Sequence, residues 1–437
     1  MKILDTTKSA LDLPSLLERT SSDTGLLVSE IISQVRQYGD RALVEYSAKF
    51  DGIVDGEKPR VMNRSELETY CKNVASKTLT DSQKAAIDKA IENVSWCATK
   101  SAPKNWTDTG PDGQIVGERF TAFNRVACYV PQGSFPLVST AIHTAAIANT
   151  AGVNEIVMVT SPSENDLNPA VAYAALNSGV TEIVFVGGAQ GIAAVALGTE
   201  TIEKVDFICG PGNQYVAEAK RALFGTVGID MVAGPSEVFV IADVTADPYS
   251  VACDLVAQAE HGSGMEASVL LTDSMELIYA VEIELEKLQN EITDNPGFQS
   301  VWENSLFLVF VDSISKAIKI SNDCAPEHVE IQTENYLEDS AKVTNAGAVF
   351  IGGYSAEPLG DFVAGPSHVL PTNSSARFTS GLSAASFFTR TSVIEIGESA
   401  YEKLSGASKE FADMEGLTGH GLSSVARRKD TESYKNE

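Results

Sequence analysis

Basic side chains are in short supply in this chain. Lys and Arg number 32 against 59 Asp and Glu, a formal net charge of −27 over 437 residues. Nucleic-acid binding rests on a basic footprint, so a polyanionic partner is not expected. Cysteine is sparse as well: six are scattered at positions 71, 97, 128, 209, 253 and 324, with no C-x-x-C pair. That pattern suits reduced thiols in a cytoplasm and argues against both a disulfide framework and a thiolate zinc site. No stretch of about 18 apolar residues occurs, so no membrane-spanning helix is expected. The first residues run into polar sequence without an apolar h-region, and no signal peptide is expected. No fixed short repeat and no low-complexity segment is evident.

Histidine is rarer still, with five in the whole chain. Four of them lie in short runs dense in Gly, Pro and carboxylates. These are Ala259-Glu260-His261-Gly262, Ala325-Pro326-Glu327-His328-Val329-Glu330, Gly365-Pro366-Ser367-His368-Val369-Leu370-Pro371 and Glu415-Gly416-Leu417-Thr418-Gly419-His420-Gly421. Histidine titrates near neutral pH and is the commonest metal ligand. Any one of the four also fits a loop or core residue with a satisfied ring; four together point to chemistry. The fifth, His143, sits in an Ala-rich apolar stretch and reads as structural.

The length and the 43% hydrophobic content allow two or more domains with ample core. Residues 1–125 read as mainly helical, with apolar positions at 3–4 spacing over 26–47 and 81–94. From 126 the pattern changes. Strand-like runs at 125–130, 155–160, 182–186 and 205–208 alternate with helical ones at 138–151, 169–178, 191–197 and 213–223. Further strands are expected at 237–241, 268–272 and 306–311. Alternation of this kind builds parallel sheets. Beyond about 375 the chain is polar and helical, with no clear sheet. The expected fold is therefore α/β, with two incomplete Rossmann-like parallel-sheet domains and small helical terminal segments. The expected division is a terminal segment 1–25, a first domain from 26–125 and 237–375, a second from 126–236, and a C-terminal segment 376–437.

Two glycine-rich turns, Val186-Gly187-Gly188-Ala189-Gln190-Gly191 and Cys209-Gly210-Pro211-Gly212-Asn213, each join a strand to a helix. Such turns suit phosphate at a helix N-terminus, though they are also common in α/β folds without it. Their place at the carboxyl ends of adjacent parallel strands fits a nucleotide. Asp247-Pro248 starts a helix that Gly262 stops. Three-residue spacing puts Gln258 and His261 on one face of it, as metal donors or as a polar helix end. Glu327 and His328 supply a carboxylate and an imidazole, suited to general-base work; a helix start with an incidental His fits equally. Asp361 precedes His368 across a Gly/Pro loop, and Glu415 precedes His420. Asp, His, His and Gln together make an N/O donor set that suits zinc.

Taken together, these runs resemble the histidinol dehydrogenase family over nearly the full length. Further matching runs are Tyr38-Gly39-Asp40, Phe50-Asp51-Gly52, Tyr129-Val130-Pro131, Ile229-Asp230-Met231, Ala233-Gly234-Pro235-Ser236-Glu237 and His368-Val369-Leu370-Pro371-Thr372. The resemblance implies a zinc- and NAD-dependent oxidation of L-histidinol to L-histidine, through an aldehyde, in two hydride transfers. That reaction belongs to histidine biosynthesis. By the same resemblance Gln258, His261, Asp361 and His420 match the ligands of one zinc per subunit, and Glu327 and His328 the catalytic pair. Ser236, His368 and Glu415 match substrate contacts, shared with His328 and the zinc ligands. Tyr129, Gln190 and Asn213 match contacts to NAD. It also implies a cytoplasmic homodimer in which the C-terminal segment reaches the partner's site, with no nucleic-acid or membrane partner. Gln132, the Ser263-Gly264 pair, Ser367 and the stretch 141–144 depart from the family pattern. Because these lie in loops near substrate and cofactor, a relative acting on another small polar alcohol, such as a sulfonated diol, stands as the alternative.

Overall fold

The strand cores are continuous apolar runs, among them Val238-Phe239-Val240-Ile241-Ala242 and Val269-Leu270-Leu271, and all of these residues are buried. Runs apolar on both faces belong in parallel sheets covered by helices. The computed structural model describes residues 1–8, 13–17, 24–50, 52, 58–132, 135–162, 167–292 and 295–427. Asp51, read above in a family-like run, lies outside these residues, as does the end of the C-terminal segment.

Two six-stranded sheets carry the fold. The first is wholly parallel, in the spatial order Lys2–Asp5, Leu306–Phe310, Ala267–Thr272, Glu237–Ala242, His328–Gln332 and Ala348–Ile351. The second runs Val61–Asn63, Glu182–Phe185, Glu155–Thr160, Arg125–Tyr129, Phe207–Cys209 and Gly228–Ile229. It is parallel except for its first pair. Helices Val138–Thr150, Pro169–Asn177, Gly188–Leu197 and Gln214–Leu223 connect the strands of the second sheet. Observed boundaries fall within a few residues of those expected. Among the described residues no helix is long and apolar enough to cross a membrane.

Three expectations need correction. Residues 1–125 are not all helix, since Lys2–Asp5 and Val61–Asn63 are edge strands. Each is three or four residues long and finds its partner far along the chain, so no local periodicity announces it. The polar C-terminal region does contain sheet. Phe388–Glu395 pairs antiparallel with Ile115–Ala122, which pairs in turn with Trp106–Thr109. Phe388–Glu395 is largely exposed, so it lacks the apolar alternation that marks a half-buried strand. The helix expected over 26–47 is two, Gly25–Tyr38 and Asp40–Phe50. Gly39 divides them with φ 53°, and a Cβ there would stand 2.3 Å from Glu200. The Glu200 carboxylate instead accepts the Asp40 N–H at 2.8 Å.

Packing divides the chain into two compact units. One spans Met1–Ala102 and Phe123–Phe387; the other combines Pro103–Ala122 with Phe388–Glu437. Residues 26–125, grouped above with 237–375, distribute among neighbours differently. Helix Gly25–Tyr38 packs on Gly188–Leu197, and Val61–Asn63 extends the second sheet.

One ion pair locks a loop of the second sheet. The side chains of Lys220 and Asp230 are 2% and 1% exposed and in direct contact. Lys220 Nζ donates to the Gly210 carbonyl at 3.0 Å, and Asp230 accepts the Gly210 N–H at 2.8 Å. Gly210 has φ 110°, and a Cβ there would lie 2.3 Å from the Tyr129 carbonyl. Removing one partner strands the other charge, so Lys220→Met should cost about 3–5 kcal/mol of stability in urea unfolding, and Lys220→Met with Asp230→Leu should recover part of it. A loss under about 1 kcal/mol for the single variant would mean that the pair is effectively solvated.

Candidate active site

His328 begins the strand His328–Gln332, at the amino end of the first sheet. The helix before it, Ile314–Cys324, is followed by Ala325, which takes the left-handed conformation with φ 51°. Pro326 and Glu327 then lead directly into the strand. Alternation sends Val329 and Ile331 into one apolar core. His328, Glu330 and Gln332 face the other way, toward helix Pro248–Ala259. There the Gln332 amide donates to Asp254 at 2.9 Å and to Glu330 at 2.8 Å. Burial pushes both of those carboxyls up in pKa. Glu330 also accepts the Glu357 N–H at 3.1 Å, which anchors the start of helix Glu357–Phe362.

Carboxylates surround the His328 ring. Its Nδ1 lies 3.3 Å from the Glu237 carbonyl and 3.9 Å from both the Glu327 and Glu357 carboxylates. Its Nε2 is 3.6 Å from Asp361, an ion-pair distance, and has no hydrogen-bond partner among the described residues. Burial disfavours the imidazolium, but Glu357, Glu327 and Asp361 together outweigh it and raise the pKa to about 10. Burial raises Glu327, and it raises Glu357 to about 7. Burial acts the same way on Asp361, yet the neighbouring His328 holds that carboxylate below its ordinary value. Such a concentration of negative charge around one imidazole is the environment of a cation site.

The donors for a cation are present. Ligand atoms of His261, Glu357 and Asp361 lie within 4.8 Å of one another. Gln258 is completely buried, and neither its Oε1 nor its Nε2 has a hydrogen-bond partner among the described residues. A buried amide left unpaired costs about 1–3 kcal/mol, so its retention points to a ligand. The N/O donor set fits zinc. The expected geometry needs one correction: the helix ends at Ala259, so His261 stands in the turn beyond it rather than one face along. The chain folds back there, and His261 Nδ1 comes within 3.0 Å of the Gln258 carbonyl.

Glu357 was not expected. The available signal was Pro358, which favours a helix start and places Glu357 and Asp361 one turn apart. Ser236 immediately precedes strand Glu237–Ala242, and its hydroxyl bonds to Glu327. His368 is held by the Asp361 carbonyl at 3.1 Å and by Thr140 at 3.2 Å. Glu415 and His420 belong to the second compact unit, where both are exposed and line a cavity of about 480 Å³.

The remaining expected residues cluster at the carboxyl ends of the second sheet. The Tyr129 hydroxyl accepts the Gly188 N–H at 3.0 Å, at the start of helix Gly188–Leu197. Gln190 lies in that helix's first turn and is buried. The N-cap residue of this helix is Gly187, which has no side chain to cap it, and a glycine-lined N-terminus of this kind suits a dinucleotide's phosphates. Asn213 instead caps its own helix, accepting from the Tyr215 and Val216 amides at 3.0 and 3.2 Å.

The chain as a whole has known relatives. The histidinol dehydrogenase family model matches residues 17–428. A histidinol dehydrogenase of Synechococcus sp. is 40% identical over 422 residues, 94% of this chain and 95% of that one. Another, from Clostridium acetobutylicum, is 41% identical over 420 residues and 95% of each chain. The crystal structure of histidinol dehydrogenase from Elizabethkingia anophelis matches at a TM-score of 0.88 and 32% identity, over 98% of both chains. The protein is thus an enzyme of the oxidoreductase class, with an α/β dehydrogenase fold. Within that class it belongs to the histidinol dehydrogenase family.

Gln258 separates ligand binding from stability. Gln258→Leu should leave the metal-free protein as stable or stabilise it by up to about 1–3 kcal/mol, because an unpaired amide is removed. The same change should lower zinc uptake. Thermal unfolding of the metal-free protein and metal analysis after zinc loading check both; a clear loss of metal-free stability would show that the amide has a structural partner.

Proposed function

We propose that this enzyme oxidises L-histidinol to L-histidine with NAD, through the aldehyde, in two hydride transfers at one zinc-containing site. The observation that carries this reading is the placement of a buried imidazole, His328, beside a cation-ready donor set that includes the unpaired Gln258. The relatives named histidinol dehydrogenase support the substrate and a place in histidine biosynthesis.

Gln258, His261 and Asp361 would hold zinc, with His420 completing the set from the partner subunit of a homodimer. When bound, zinc supplies positive charge that orients the substrate's amine and imidazole, and NAD supplies the hydride acceptor for both oxidations. The rest falls to the chain's own side chains. A cation held beside Asp361 would offset the carboxylate field that keeps the proton on His328. Its Nε2 then takes the hydroxyl proton, first from the alcohol and later from the aldehyde hydrate. Glu327, positioned by Ser236, takes a proton from the water that hydrates the aldehyde. Ser236, His368 and Glu415 orient the substrate. Tyr129, Gln190 and Asn213 border the site for NAD, and the Tyr129 hydroxyl keeps the Gly188 turn in place.

Purified protein loaded with zinc should reduce two NAD for each histidine formed from L-histidinol, followed by NADH absorbance and product analysis. Turnover of a sulfonated diol or another small polar alcohol with none of histidinol would replace this substrate. His328→Ala should retain zinc and lose roughly 10²–10⁴-fold in rate, the range of a general base. Mixing inactive His328→Ala and His420→Ala proteins should partly restore activity, because one site of the mixed dimer keeps both residues. No restoration in demonstrably mixed dimers would count against a shared site.

A further inference from the structure

His143 looks at first like a core residue. It lies in helix Val138–Thr150, between Ile142 and Thr144, and is completely buried. A polar ring in that position needs partners, and every partner it has belongs to the segment that carries His368. The two imidazoles stack with centroids 4.5 Å apart and planes 16° from parallel. His143 Nδ1 lies 3.3 Å from the backbone N–H of His368, and its Nε2 is 3.4 Å from the Phe362 carbonyl. The Ser367 hydroxyl donates to the His143 carbonyl at 3.1 Å. Thr140, three residues earlier on the same helix, places its hydroxyl 3.2 Å from His368 Nε2.

These contacts determine both tautomers. A backbone N–H can only donate, so Nδ1 of His143 must be the unprotonated nitrogen. Its proton therefore sits on Nε2 and points to the Phe362 carbonyl. A carbonyl can only accept, so His368 must carry its proton on Nδ1, where the Asp361 carbonyl lies 3.1 Å away. His368 Nε2 is then an acceptor, served by Thr140. Two consecutive carbonyls, those of Asp361 and Phe362, thus each take one imidazole N–H. Burial favours the neutral ring in both residues, and the stack sets a second positive charge against the first.

We propose that His143 is a positioning residue: by accepting the His368 backbone N–H and stacking on its ring, it keeps His368 Nδ1 on the Asp361 carbonyl, which fixes the Nδ1–H tautomer. This rests on the reading of His368 as a substrate contact. A plain packing role would require only a flat apolar ring of the same size, and that difference makes the two separable.

His143→Phe keeps the ring and the stack but loses both hydrogen bonds. His143→Asn loses the stack but keeps an acceptor near the position of Nδ1. With histidine labelled by 15N, five residues are few enough to assign by single substitution. The wild-type protein should show His368 protonated at Nδ1 and His143 at Nε2. In His143→Phe the His368 signals should move toward mixed tautomers, while in His143→Asn they should stay. In turnover, His143→Phe should raise KM for L-histidinol about tenfold, roughly one hydrogen bond's worth, with a smaller effect on kcat. His143→Asn should restore most of that KM. Unchanged His368 signals in a folded His143→Phe protein would overturn the proposal. The ring spectra need no turnover, so they decide the positioning role even if histidinol is not the substrate. A shifted spectrum with an unmoved KM would instead remove His368 from the substrate contacts.

Discussion

A concentration of buried negative charge around one imidazole governs this molecule's site. Glu327, Glu357 and Asp361 converge on His328 at the amino end of the first parallel sheet. Without a counter-charge they hold the ring cationic, with a pKa raised to about 10. A base that never lets go of its proton does no work at neutral pH. Such a field favours an added positive charge, which is what the proposed metal would supply. The unpaired Gln258 amide makes the same point by another route, because neither of its two polar atoms finds a partner among the described residues.

The surrounding fold holds this unfavourable arrangement in place. Glu330 ties the start of the Glu357–Phe362 helix to the same strand that presents His328, so Glu357 and Asp361 are aimed by a backbone hydrogen bond. Asp254 and Gln332 extend the polar face below them. The glycine turns lie elsewhere, at the carboxyl ends of the second sheet, where the Lys220–Asp230 pair pins Gly210. The two proposed tasks, base catalysis and cofactor binding, thus fall at opposite strand ends of two sheets. His143 and Thr140 belong to a helix of the second sheet, yet they grip the loop that follows Asp361. That helix joins the two halves of the site within one compact unit.

Much of this was legible in the amino-acid order. The apolar runs of the parallel strands and the intervening Ala-rich helices lie close to their expected bounds, because buried parallel strands and amphipathic helices write their period into the chain. The scarce histidines, set among Gly, Pro and carboxylates, pointed to most of the chemical residues. Other features were not visible. Glu357 sits in an ordinary helix start, and its role appears only when that helix folds over His328. His143 reads as an apolar-helix residue until the loop bearing His368 is laid on it. The strand Phe388–Glu395 is mostly exposed and pairs with residues some 270 positions earlier, so nothing local marks it.

The sequence by itself determined what depends on neighbours in the chain: helix and strand periodicity, caps, glycine turns and the placing of reactive side chains beside residues that shape backbone. It also determined the family, through the number and order of its short runs. Only the tertiary structure decided which carboxylates surround His328, which amide is left unpaired and which tautomer each stacked imidazole adopts. Those properties depend on desolvation and on distances between segments far apart in sequence, and neither exists until the chain is packed.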